Sequence, residues 1–251
     1  MRRVLSIASF LLLAQLLGGA ALAEPSARPL SIAWVKVKAI RQHDADKALR
    51  ETLNQAAIAA SARLGKPGAF AENPSHRVAL PPALQAVRGS WNPIGRSGAL
   101  DRLQAAMNQA AEAGALLARP LLLAQIEDLD FSDAVAIVRS GDEAATQFLA
   151  IRTRDALAGA LRPGIENELT KAGGFAALAE AAEAAGMPER ARGYRDEVIA
   201  ATIDGELDAL FGEMRTEERS IRLDPASRGS PVLQSVFSGF TPAAPQADSG
   251  G

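Results

Sequence analysis

From Asp44 onward, apolar residues recur every three or four positions. Ala45, Leu49, Leu53, Ala56, Ala60 and Leu64 fall on one side of a helical spiral, and Gly65 and Pro67 end it in the expected order. The stretch from Gly65 to Pro82 is too rich in Gly and Pro for a continuous helix, and Arg77-Val78-Ala79-Leu80 within it reads as extended chain ahead of a proline. Pro82 opens the next helix, which runs through Leu84 and Val87 toward Trp91 and breaks at Asn92-Pro93 and Gly95. A longer helix starts near Ser97 and carries Leu100, Leu103, Met107, Ala110, Ala111 and Leu117; Pro120 interrupts it or starts a successor holding Leu121 to Leu129. Asp130, with Asp133 three residues on, reads as the N-cap of a helix ending near Gly141. Asp142 reads as the cap of another, running through Ala145, Phe148, Leu149 and Leu157 to Leu161, with Pro163-Gly164 kinking or restarting it. Gly173-Gly174 and Gly186-Met187-Pro188 mark turns. The last long helix places Ile199, Ile203, Leu207, Leu210, Phe211, Met214 and Ile221 on one face and stops at Asp224-Pro225; a short helix with Val232, Leu233, Val236 and Phe237 closes the domain.

This pattern predicts an all-α fold: a single irregular bundle of about nine or ten short-to-medium helices over residues 44–240, without a solenoid repeat. It leaves room for one small extended element, either near Ile32, Trp34, Val35 and Val37 in the lead-in segment 24–43 or within the 65–82 loop. The N-terminus has a basic start at Arg2-Arg3, an apolar run from Val4 to Leu17 and the small-residue end Ala21-Leu22-Ala23. That order predicts a secretory signal peptide over residues 1–23, cleaved after Ala23, and hence a periplasmic protein with no stable membrane insertion. Residues 241–251, rich in Pro, Ala, Ser and Gly, read as a disordered tail.

Composition narrows the chemistry. The 251 residues carry a formal net charge of −2, and removing Arg2 and Arg3 with the signal peptide makes it −4. A mildly acidic chain argues against nucleic acid as a partner. The absence of Cys excludes disulfides, thiolate nucleophiles and Cys-based metal sites, and only two His argue against a multi-His metal site. No motif calls for a cofactor: there is no phosphate loop, dinucleotide fingerprint, nucleophile elbow, H-E-x-x-H or calcium loop. Much of the hydrophobic content is Ala, so the helices pack closely on many small contacts.

A few polar groups remain as candidates. His43 and His76 read as solvated or locally hydrogen-bonded imidazoles. Asn108 and Glu112 share one helix face amid Ala106, Met107, Ala110, Ala111 and Ala113; they form either a buried polar lock between helices or a ligand-binding or acid–base carboxylate with its neighbour. In the charge-dense run from Glu217 to Pro225, Glu218 and Arg222 are ordered for an i,i+4 pair, at a solvated helix end or as an Arg clamp for an anionic ligand. Thr146, Phe148, Arg152 and Thr153 follow the Asp142 cap; Arg152 can cover Phe148, and the threonines can bond back to the backbone. The candidate ligand-binding set is therefore Asn108, Glu112, Thr146, Arg152, Glu218 and Arg222, with no catalytic or metal-ligating residue assigned.

Several blocks, in order, carry a family resemblance: Gly68-Ala69-Phe70 through Asn73-Pro74 to Leu80-Pro81; Asn108 to Glu112, then Arg119-Pro120; Phe131 to Ala134, then Gly141 to Thr146; and Leu207 to Phe211, Glu218, Ile221-Arg222, Asp224-Pro225 and Val236-Phe237. Together they resemble the bacterial domain of unknown function 4197 family of exported proteins. The resemblance implies a helical envelope protein with no assigned activity and supplies no catalytic residues. The chain departs from it at Phe148-Leu149, where an aromatic pair is usual, at Ala209, where Gly is usual, and in lacking the Cys of lipid-anchored members. The expected function is a non-catalytic binding or interaction module for a small molecule or an envelope protein. The alternatives are a metal-free hydrolase or lyase using Glu112 with an acid of the last long helix, and an oligomeric envelope scaffold.

Overall fold

The computed structural model describes residues 39–91, 98–186 and 188–238. The expected signal peptide, nearly all of the lead-in segment and the expected tail lie outside the described residues. Among those described, the elements are α1 (Gln42–Leu64), α2 (Pro82–Trp91), α3 (Gly98–Asp128), α4 (Ala134–Ser140), α5 (Ala144–Lys171), α6 (Gly174–Ala184), α7 (Arg190–Leu223), a 3-10 turn (Pro225–Ser227) and α8 (Pro231–Phe237). The fold is all-α, as the periodicity predicts. Its eight helices are slightly fewer than expected, because Pro120 lies inside α3 and Pro163 inside α5. Both prolines face solvent, where water can satisfy the carbonyl that each leaves unbonded. The buried stripes run on past them, through Ala118 and Leu122 in α3 and through Leu161 and Ile165 in α5. Burial of those faces outweighs the local loss.

α3 is the central helix and packs against α1, α5, α6 and α7; α7 in turn packs against α1 and α5, and α4 and α8 close on α1. Alanine sets the spacing. Ala48, Ala56, Ala57 and Ala60 of α1 and Ala110, Ala111, Ala115 and Ala118 of α3 are all fully buried, which lets backbones approach. Phe70, Phe211 and Phe237, also buried, supply bulk to the same core.

Helix ends are closed by distant side chains as much as by local caps. Arg50 of α1 donates to the carbonyls of Ile126 (2.6 Å), Glu127 (2.7 Å) and Leu129 (2.7 Å) at the end of α3, is held by Asp46 at 3.1 Å, and lies 5.1 Å over the Phe131 ring. Gln42 donates to the Phe131 carbonyl at 2.7 Å. Asp133, rather than Asp130, caps α4 by accepting from the Ala136 amide, since the helix starts only at Ala134. The expected extended piece at Arg77–Leu80 is non-helical and has no strand partner. Instead Asn108 Oδ1 accepts from the Val78 amide at 3.0 Å, and the Gln104 side chain donates to the Val78 carbonyl at 3.1 Å. No helix among the described residues is long and apolar enough to cross a membrane.

Pro120→Ala restores an intrahelical donor at an exposed position. It is expected to raise the stability by about 1–3 kcal/mol, read from the midpoint of urea unfolding.

Candidate functional site

The predicted residues fall into separate places. Thr146, Glu218 and Arg222 come together. α5 starts at Ala144, and its own N-cap residue, Glu143, makes no side-chain cap bond. Glu218 of α7 does that work: Oε1 accepts from the Ala145 amide at 3.0 Å and Oε2 from the Thr146 amide at 2.7 Å. Arg222, one turn later, places Nε at 2.9 Å and Nη2 at 2.8 Å from Glu218 Oε1. Its Nη1 donates to the Val138 carbonyl of α4 at 2.7 Å, and its guanidinium lies 5.0 Å over the Phe237 ring of α8. Glu218, Arg222 and Thr146 are fully buried. Burial lowers the Arg222 pKa and the Glu218 charge opposes that; the arginine stays charged. The i,i+4 pair is therefore a core lock rather than a solvated helix end. The neighbouring Arg219 is the solvated one, pairing with Asp142 and Glu143 at the surface. Thus Asp142 serves as an ion partner, and the cap of α5 comes from α7. Arg228 completes the corner by donating to the carbonyls of Ile221 (3.0 Å) and Arg222 (2.8 Å).

Asn108 and Glu112 both hold the 65–80 loop. Asn108 grips Val78 as described above. Glu112 Oε1 accepts from the Gly68 amide at 2.8 Å. Gly68 has φ +85°, and a Cβ there would stand 2.7 Å from Glu72 Oε1, so conformation and space both call for glycine. The loop thus pinned forms one wall of a recess of about 450 Å³, lined by Arg63, Lys66, Gly68, Asn73, His76 and Glu213. His76 Nε2 is 3.3 Å from Glu213 Oε1, and its Nδ1 is 3.1 Å from Asn73 Nδ2. Arg63 bridges two carboxylates of α7, placing Nε at 2.7 Å from Glu213 and Nη1 at 3.0 Å from Glu217. Glu217 also borders a second recess of about 600 Å³, whose walls are Ile58, Ala62 and Leu233 and whose rim carries Glu51 and Ser230, hydrogen-bonded to each other. His43 is exposed beside Asp44.

Arg152 stands apart from these groups, exposed, with its guanidinium 5.0 Å over the Phe148 ring. Phe148 in turn stacks at 5.6 Å on Phe131.

The blocks quoted from the sequence occupy structural positions: the Gly68 turn, the Asn108–Glu112 grip, the α5 start and the Glu218–Arg222 lock. The family described as "Protein of unknown function (DUF4197)" matches the chain over residues 39–238. The chain belongs to that family. No curated protein and no solved structure matches it. For this DUF4197 chain the matched span begins just before α1 and ends just after α8, so it covers every helix described.

Sequence reasoning missed Arg50, Arg63, Glu213, Arg228 and Glu206. The last was visible: Glu206 lies three residues after Ile203 and four before Leu210, on the apolar face of α7. It is fully buried, and burial pushes its carboxyl up to about 8.

Glu218→Ala strands the Arg222 charge in the core and exposes the α5 amides to no acceptor. Urea unfolding is expected to show a loss of about 3–5 kcal/mol. Glu112→Ala is expected to cost about 1–2 kcal/mol and to raise amide exchange between Lys66 and His76, with α5 unchanged.

Proposed function

We propose that this protein is an exported, non-catalytic binding module, and that its binding face is the α1–α7 flank carrying the two recesses. The observation that supports this most directly is the Arg63 bridge. It holds Glu213 at the edge of one recess and Glu217 at the edge of the other, whereas the buried Glu218 and Arg228 close helix ends. The larger recess has the size and character of a small-molecule site: apolar walls at Ile58, Ala62 and Leu233, and acceptors at Glu51 and Glu217. That chemistry suits a compound with an apolar body and a cationic or hydrogen-bond-donating head. In this reading Asn108 and Glu112 serve binding by fixing the loop wall, Glu218, Arg222 and Thr146 by fixing the angle of α7, and Arg152 by shielding Phe148.

The paired-carboxylate alternative has less support. Glu112 and the α7 acid Glu213 hold opposite sides of the same loop, yet Glu112 is bound by an amide and Glu213 by Arg63 and His76. Each is thus engaged in holding the loop, and the two are not paired with each other. Export rests on the basic, apolar and small-residue order of residues 1–23.

Native mass spectrometry of the protein purified from periplasm tests the proposal. A bound small molecule is expected, and Ile58→Glu with Ala62→Trp, both at exposed positions, is expected to abolish it while leaving the melting temperature within a few degrees. A ligand-free protein, or a ligand retained by the double variant, would sink this reading.

A further inference from the structure

Glu206 projects from α7 into the line where α7 meets α3 and α5, and neither of its carboxyl oxygens has a hydrogen-bond partner. The protein makes room for it. Gly114 stands opposite in the middle of α3, and a Cβ there would lie 2.6 Å from Glu206 Oε2 and 2.5 Å from Ile165 Cδ1 of α5. A glycine inside a helix and an unbonded acid inside a core are each unfavourable, and here they depend on each other. A second glycine, Gly164 of α5, lets α3 and α5 approach beside this point. Leu117 of α3 fits against Gly164, where a Cβ would meet its Cδ1 at 2.7 Å.

No charge reaches Glu206. Charged side chains of the surrounding helices are engaged elsewhere: Arg154 with Asp204 and Asp208, Arg162 with Asp196, Arg195 with Glu166, Arg102 with Glu180, and Glu112 with the Gly68 amide. Burial alone raises its carboxyl from 4.5 to about 8, so near neutral pH it is an uncharged acid. An ionised carboxylate here needs water, and water reaches it only when the surrounding helices part.

We propose that Glu206 is a proton-controlled latch: the neutral acid lets α3, α5 and α7 close on one another, and loss of its proton opens that seam around Gly114 and Ile165. The sign follows from linkage. The folded state holds the proton more tightly than an opened state does, so the stability of the closed seam is fully present below about pH 4.5. It is lost progressively as pH rises to about 8, and changes no further beyond that. α7 also carries Glu213 and Glu217, about two and three turns further on, so the latch acts on the same helix that borders both recesses. The inference does not depend on the binding proposal.

Hydrogen–deuterium exchange of the full chain between pH 6 and 9, corrected for intrinsic rates, tests it. Opening of amides in 110–120, 160–168 and 203–210 is expected to rise about tenfold per pH unit up to pH 8 and then level off. The α1 amides are expected to show no such rise, and Glu206→Gln to flatten the dependence. A rise spread evenly over all helices, no rise below pH 8, or the same rise in Glu206→Gln would overturn the proposal. If that variant does not fold, the wild-type pattern decides alone.

Discussion

The Glu218 carboxylate is where α4, α5, α7 and α8 are made into one body. It takes the place of a local cap at the start of α5, satisfying amides that would otherwise be left without acceptors. Its charge is balanced by Arg222, which then reaches the last turn of α4 and covers a ring of α8. A buried charge is tolerable only when paired and fully hydrogen-bonded, so each bond supports the others. The pair is of limited use as a source of stability compared with apolar residues of the same volume. Its value is directional: it sets where α5 begins and how α7 crosses it.

The 65–80 loop is held by polar side chains of α3 instead. Asn108 and Glu112 reach from α3 to hold a loop that has neither helix nor sheet to satisfy its backbone. That loop and the adjoining faces of α1 and α7 enclose the smaller recess, with Arg63 and His76 tied to the α7 carboxylates at its edge. Loop, recess and ion bridge therefore depend on residues that are themselves inside or beneath the surface.

Around these polar groups the core is built from small side chains. With no Cys in the chain, helix contacts must carry the stability alone, and close packing of Ala leaves little space for a polar group. Against that background the seating of Glu206 on Gly114 stands out. An apolar side chain at that position is what packing by itself favours. The acid is matched to its site by shape and unmatched by hydrogen bonding, which is the combination expected of a group whose protonation state matters.

The periodicity of apolar residues determined the helical class, the approximate positions of the helices and the Pro82, Asp224-Pro225 and Gly65 boundaries, because a helix face is a local property of spacing. Glu218 and Arg222 were recognisable as a pair for the same reason: four residues apart is one turn. Whether that pair faced water or the core was not local, since it depended on α4, α5 and α8 arriving around it. Likewise Pro120 and Pro163 looked like interruptions, and only neighbours packed on both sides of each proline show why the helices continue. The cap of α5, the grip of Arg50 on α3, the Arg63 bridge and the Gly114–Glu206 fit all join residues far apart in the chain. Tertiary structure alone decided them, because a backbone group left open at a helix end accepts whichever partner the fold delivers.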